Sequence, residues 1–135
     1  MRLSTEDCRS RFTGERVATL GTVTETGVPH LVPVTFAVLG AEIYFVIDHK
    51  PKRTRDLARL RHIAANPAVS FLADRYADDW NQLWWVRADG RATVLDEHPE
   101  AIAALRAKYP QYRDTPPEGP IVRTVISRWT GWSFV

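Results

Sequence analysis

The sequence predicts a mainly β (α+β) fold: six strands in a mostly antiparallel sheet, closed into a barrel and flanked by short helices. Three observations lead there. Six segments alternate apolar and polar residues or run rich in β-branched and aromatic side chains, with turn signals between them. Tight turns join consecutive strands more often than helices do, which favours antiparallel neighbours over a doubly wound sheet. The helical segments are short and bounded by cap and proline signals.

Each element has its own signal. Ser4 with Asp7 three residues on is a loose capping box, and it predicts a helix from Thr5 to Phe12. In "ERVATLGTV", Val17, Thr19, Gly21 and Val23 alternate with Ala18, Leu20 and Thr22, as in a strand. Gly27 supplies positive φ for the turn "TETG". "VPHLVPVTFAVL" is the second strand. Its prolines cannot donate to a ladder, so an edge, a bulge or a ligand is expected at Pro33. "LGAE" turns into the third strand, "EIYFVID", and completes a meander. Thr54 is the expected N-cap of the next helix; Leu57, Leu60, Ile63 and Ala64 form its apolar stripe, and Asn66-Pro67 ends it. "AVSFLAD" is the fourth strand, and polar "RYADDW" leads to a long fifth, "QLWWVRADGRATVL", with Gly90 as a bulge or bend. Pro99 opens the helix "PEAIAALRAKY" and Pro110 stops it. After the loop "RDTPPEGP", the segment "IVRTVISRWTGWSFV" is the last strand.

Length and composition narrow the class. The 135 residues suit one domain, 1–135, large enough to bury a core without staples. A single cysteine forms no internal disulfide and no Cys-rich zinc site. "MRLSTEDCRSRF" carries no apolar run, so neither a secretory signal nor a membrane anchor is expected, and a cytoplasmic home is the default. Charge is unevenly placed. Lys50, Lys52, Arg53, Arg55, Arg59 and Arg61 face only Asp56, a local +5 in a chain of net +2, which leaves −3 for the remainder. A nucleic-acid surface spreads its charge more widely. One compact anionic ligand fits this pattern better.

The chemistry-bearing residues follow from this. Free N–H groups at a helix start attract anions. Lys50, Lys52 and Arg53 stand just before that start, and Thr54 offers a hydroxyl, so these residues are the candidate phosphate cradle. Arg59 and Arg61 fit a solvated helix face equally well. Trp84 and Trp85 point to opposite sides of a strand. At most one enters a given core; the other packs at a rim, or covers a partner or a flat ring. Arg87 shares the face of Trp85. His30, on a strand, is expected to be a partly buried structural residue, and the four histidines show no ligand spacing. No GxGxxG, P-loop, GxSxG or Cys-His pair occurs. An anion cradle without a nucleophile suits a protein that borrows its reactive group.

These residues resemble a known family. "RVATLGTVTETGVPHLVPVTFAVLGAEIYFVID", then "KPKRTRDLARLRHIAANPAVSFLAD" and "DDWNQLWWVRADGRATVL", are similar to the pyridoxamine 5′-phosphate oxidase-like split β-barrel superfamily. Within it they resemble the actinobacterial branch that uses the deazaflavin coenzyme F420. The resemblance implies a six-stranded FMN-binding type of split barrel that forms a homodimer with the cofactor at the subunit interface. It implies a phosphate site at Lys52, Arg53 and Thr54, with Lys50 nearby and Asp48 beside it. The cofactor ring would lie on the backbone of Pro33, Val34 and Thr35. Trp84 or Trp85, and Arg87, would close the site from the other subunit. The implied activity is hydride transfer to a small organic substrate. FMN as the cofactor, or a non-catalytic module that holds a cofactor or haem, are the alternatives. No C-terminal motif for the phosphate of a vitamin B6 substrate is present, which argues against that substrate.

Overall fold

The computed structural model describes residues 1–47 and 53–135, with side chains for all of these except 53–57. In chain order the elements are α1 (Thr5–Thr13), β1 (Ala18–Val23), β2 (Pro29–Val34), β3 (Ala37–Leu39), β4 (Glu42–Val46), α2 (Arg53–Ala65), β5 (Ala68–Arg75), a 3₁₀ turn (Trp80–Gln82), β6 (Trp84–Leu95), α3 (Pro99–Lys108), α4 (Pro110–Asp114) and β7 (Ile121–Ser133). Among the described residues seven strands form one sheet, in the order β2-β1-β5-β6-β7-β4-β3. Among them every neighbouring pair is antiparallel. The two edges, β2 and β3, are consecutive in the chain and separated only by Thr35 and Phe36. A sheet whose opposite edges are tied by two residues must curl until those edges meet. That closure, without pairing between β2 and β3, makes a barrel split along one seam.

The expected six strands are therefore seven. The expected second strand leaves the ladder at Thr35–Phe36, and the reason is a side chain from far along the sequence. The Tyr109 hydroxyl accepts from the Phe36 N–H at 3.1 Å and lies 3.2 Å from the Phe36 carbonyl. It also lies 2.8 Å from the Arg16 carbonyl. Phe36 is fully buried, so its backbone groups need partners. Tyr109 replaces the strand that would otherwise supply them.

Other departures are local. α2 begins at Arg53, so Thr54 lies inside its first turn rather than at the N-cap. Pro110 does end α3, but it also sits at the first turn of α4, where its missing N–H costs nothing. At the N-terminus the capping reading holds: Ser4 Oγ accepts from the Asp7 N–H at 3.1 Å.

The core gathers around α1. Phe12 has no exposure, and its ring lies 4.6 Å from Phe36, 6.2 Å from Phe71 and 5.5 Å from Trp129. Burying one such side chain contributes about 1.5–3 kcal/mol. Leu60 and Ile63 of α2 pack on the same cluster, as their helical spacing predicts. On β6 the register against β7 slips between Asp89 and Gly90, which face Arg128 and Ile126. Ser127 is the extra residue, and its hydroxyl donates to the Asp89 carbonyl at 3.2 Å. A Cβ on Gly90 would stand 2.2 Å from the Val125 carbonyl oxygen, so the expected bend at Gly90 is a site where the neighbouring backbone leaves no room.

Tyr109→Phe keeps the ring and strands three backbone groups. We expect a loss of about 1–3 kcal/mol in urea unfolding, larger than for Tyr76→Phe, whose side chain is exposed.

Candidate functional site

Strand register brings two distant parts of the chain to one end of the barrel. Ala37 pairs with Tyr44, so Thr35 sits at the same end of the β3–β4 hairpin as Val46. From Val46 the chain passes through Ile47 into the segment that starts at Asp48. Ala37, Val46, Tyr109 and Tyr112 belong to one apolar cluster. Beside it opens a cavity of about 470 Å³. Val17, Tyr109 and Pro110 give it apolar lining, and Arg16, Thr35, Gln111 and Tyr112 bring polar groups. The Thr35 and Tyr112 hydroxyls lie 2.9 Å apart. Arg16 Nη1 donates to the Lys108 carbonyl at 2.6 Å, which holds the guanidinium at this end of α3.

The expected site residues fall into three groups. Pro33 and Val34 end β2, Pro33 exposed and Val34 buried, and Thr35 follows in the seam. Asp48, Lys50 and Lys52 lie outside the described residues, as do the side chains of Arg53 and Thr54. Arg53 and Thr54 do occupy the first turn of α2. Trp84, Trp85 and Arg87 are on β6, far from the seam. Trp84 faces inward, is 7% exposed and belongs to the main core, with the Arg11 guanidinium 5.6 Å from its ring. Of the two tryptophans, Trp85 is the one on the outer face.

That outer face is continuous. Pro33 pairs with Thr19, Thr19 with Leu72, and Leu72 with Arg87, so these four form a row across β2, β1, β5 and β6. Three strand spacings separate Pro33 from Arg87, about 14 Å. Within one chain the two do not share a ligand-sized site. Leu31, Leu72 and Trp132 are exposed on this face, and Trp85 pairs with Trp132. Arg87 Nε is 3.1 Å from the Asp89 carboxylate, which also accepts from Ser70 at 2.6 Å. His30 is exposed rather than partly buried. β2 lies at the sheet edge, and the His30 ring rests 4.7 Å from that of His62 on α2.

A family model for pyridoxamine 5′-phosphate oxidase matches residues 4–132. The chain belongs to the pyridoxamine 5′-phosphate oxidase family. Solved structures carry the same fold. An FAD-binding protein from Mesorhizobium loti is 21% identical, with 97% of this chain and 95% of that one covered and a TM-score of 0.74. The FAD-binding protein from Mycobacterium smegmatis is 22% identical, covers 100% of both chains and has a TM-score of 0.71. The heme storage protein of Vibrio cholerae is 18% identical, with 98% and 95% covered and a TM-score of 0.68. No curated protein matches the sequence. Among the described residues no helix is long and apolar enough to cross a membrane.

Within this oxidase-family fold, sequence reasoning missed Arg16, Tyr109 and Tyr112. The only trace was "YPQY", two tyrosines around a proline that must break the helix. Lys108, whose carbonyl accepts from Arg16, is half-buried; loss of water, with the like charge of Arg16 adding, lowers its ammonium to about 8. The Phe36 ring face, 3.7 Å from Nζ, and the Thr13 carbonyl at 3.3 Å partly offset the lost hydration. An unfolded lysine titrates near 10.5. Between about pH 8 and 10.5 the unfolded chain therefore holds more protons, and this residue makes stability rise with pH. Below pH 8 both states are charged and the folded state bears the full desolvation. Urea midpoints for wild type and Lys108→Met should show the wild type gaining on the variant from pH 7.5 to 9.5.

Proposed function

We propose that this chain is an oxidoreductase that binds the deazaflavin F420 and serves hydride transfer to a small organic acceptor. The observation that carries the reading is the shared end of the fold. The Pro33–Thr35 backbone, the cavity at Thr35, and Val46, where β4 ends ahead of the basic segment, all lie there. Lys50, Lys52, Arg53 and Thr54 bind the cofactor phosphate, with the first turn of α2 adding its free N–H groups. Asp48 borders that cradle. Pro33, Val34 and Thr35 present backbone to the ring, and a proline at an edge strand leaves its surroundings open to a flat ligand. The cavity volume lies in the range of small-molecule sites. When bound, the cofactor supplies a hydride; the chain positions the partners and excludes water. Arg59 and Arg61 extend the positive charge along α2 toward the acidic tail that distinguishes F420 from FMN.

The row from Pro33 to Arg87 favours a homodimer. Trp85 and Arg87 lie about 14 Å from the seam of their own chain, and the face that carries them exposes Leu31, Leu72 and Trp132. A second copy that covers this face brings its Trp85 and Arg87 to the first copy's Pro33–Thr35. An ordinary flavin is the second reading. Two similar structures are described as FAD-binding, and the same basic segment serves any flavin phosphate.

Two measurements test this. In fluorescence titrations with F420 and with FMN, F420 should bind more tightly; tight FMN binding with none of F420 overturns the cofactor assignment. Joint Lys52→Ala and Arg53→Ala should weaken binding by about a hundredfold or more, since each charge-assisted contact contributes about 1.5–3 kcal/mol. In light scattering, the wild type should have twice the 15.4 kDa chain mass, and Leu72→Glu should fall to one chain mass.

A further inference from the structure

The cavity at the seam has a chemistry of its own. Arg16 carries a guanidinium, yet no carboxylate lines the cavity. Glu15, its neighbour in sequence, is engaged with Arg75 at 3.0 Å. One N–H of Arg16 is spent on the Lys108 carbonyl, which aims the fork without neutralising it. The Thr35–Tyr112 pair adds a donor. Two hydroxyls that bond to each other use one hydrogen between them, so one O–H remains whichever of the two donates. Guanidinium and hydroxyl together recognise an oxyanion. Around them stand the Tyr109 ring, Val17 and Pro110, which fit a flat apolar body better than a hydrated phosphate.

We propose that this cavity binds a small planar organic oxyanion, an aromatic or conjugated carboxylate or enolate, with its charged oxygen on Arg16 and on the Thr35–Tyr112 hydroxyl pair and its ring between Val17, Tyr109 and Pro110. Binding of this class stands without any cofactor. That the bound oxyanion is the reduced form of an electron acceptor rests on the oxidoreductase reading, because Thr35 lines the cavity and belongs to the backbone assigned to the cofactor ring. The acceptor is then a neutral enone or quinone that takes the hydride and its electron pair from the reduced cofactor, the negative charge passes to its conjugated oxygen, and Arg16 with the Thr35–Tyr112 pair stabilises the resulting enolate or phenolate.

Benzoate and its neutral isostere benzamide are the probes, titrated into the purified full chain by calorimetry and followed by NMR. Benzoate should saturate one site and bind about tenfold or more tightly than benzamide, as expected for a hydrogen-bonded charge. Tyr112→Phe and Thr35→Val together should remove most of that preference, and Arg16→Gln should abolish it. Tyr112→Phe keeps the ring in its apolar cluster, and unchanged thermal unfolding will show that the fold survives. Equal affinity for the two probes, or a preference intact in the double variant, overturns the proposal. Joint Lys52→Ala and Arg53→Ala should leave benzoate affinity unchanged. Cofactor binding without benzoate binding defeats this site alone; benzoate binding with neither F420 nor FMN bound defeats the oxidoreductase reading and leaves the site standing.

Discussion

Between Arg16 and Phe36 lies the hydroxyl of Tyr109, 2.8 Å from one carbonyl, 3.2 Å from the other and 3.1 Å from an amide nitrogen. A buried backbone segment that leaves a sheet must find partners elsewhere. Here one phenol provides them, and the cost of opening the ladder at Thr35–Phe36 is met. Because the ladder opens there, β2 and β3 can be opposite edges of one sheet. Because those edges meet without pairing, a seam exists. Burial pushes the Tyr109 phenol up in pKa, which keeps it in the neutral, donating form. The cavity, the exposed Pro33 and the position of Thr35 all depend on this contact.

A second constraint governs the far side of the barrel. Strand alternation assigns each residue of β6 to the core or to the outer face, and Trp84, Val86 and Ala88 take the core. Trp85, Arg87 and Asp89 then have no choice but to face outward. Aromatic and apolar side chains collect there on four strands, while the polar groups among them are tied to one another through Asp89. Such a face combines exposed apolar area with paired charge, which supports the homodimer proposed above.

Much of the fold was legible in the sequence because its signals are local. Ser4 and Asp7, the alternation in "ATLGTV", and the bend at Gly90 each act within a few residues, and each is found in the structure. The break at Thr35–Phe36 was not legible, because its cause lies 73 residues away in Tyr109. α4 was not legible, since Pro110 is both a stop for one helix and a start for another. Of the proposed site, the Thr35 region rests on resemblance, and the basic run on its charge and its place at a helix start. Arg16 and Tyr112 were not found. Neither belongs to a motif, and only closure of the barrel brings them together. The assignment of Trp84 against Trp85 needed parity along β6, which sequence alternation defines only up to a choice of face.

The extra residue on β7 has an effect beyond relieving twist. Ahead of Ser127, the even-numbered residues Val122, Thr124 and Ile126 are buried. Beyond it the odd-numbered Trp129, Gly131 and Ser133 turn inward. The strand is thus two half-strands of opposite phase, spliced at one serine. Loss of a single residue at that splice would transpose inside and outside for everything downstream, carrying Trp132 into the barrel and expelling Trp129 from Phe12. Length at Ser127 cannot drift at all without exchanging the two surfaces of the protein.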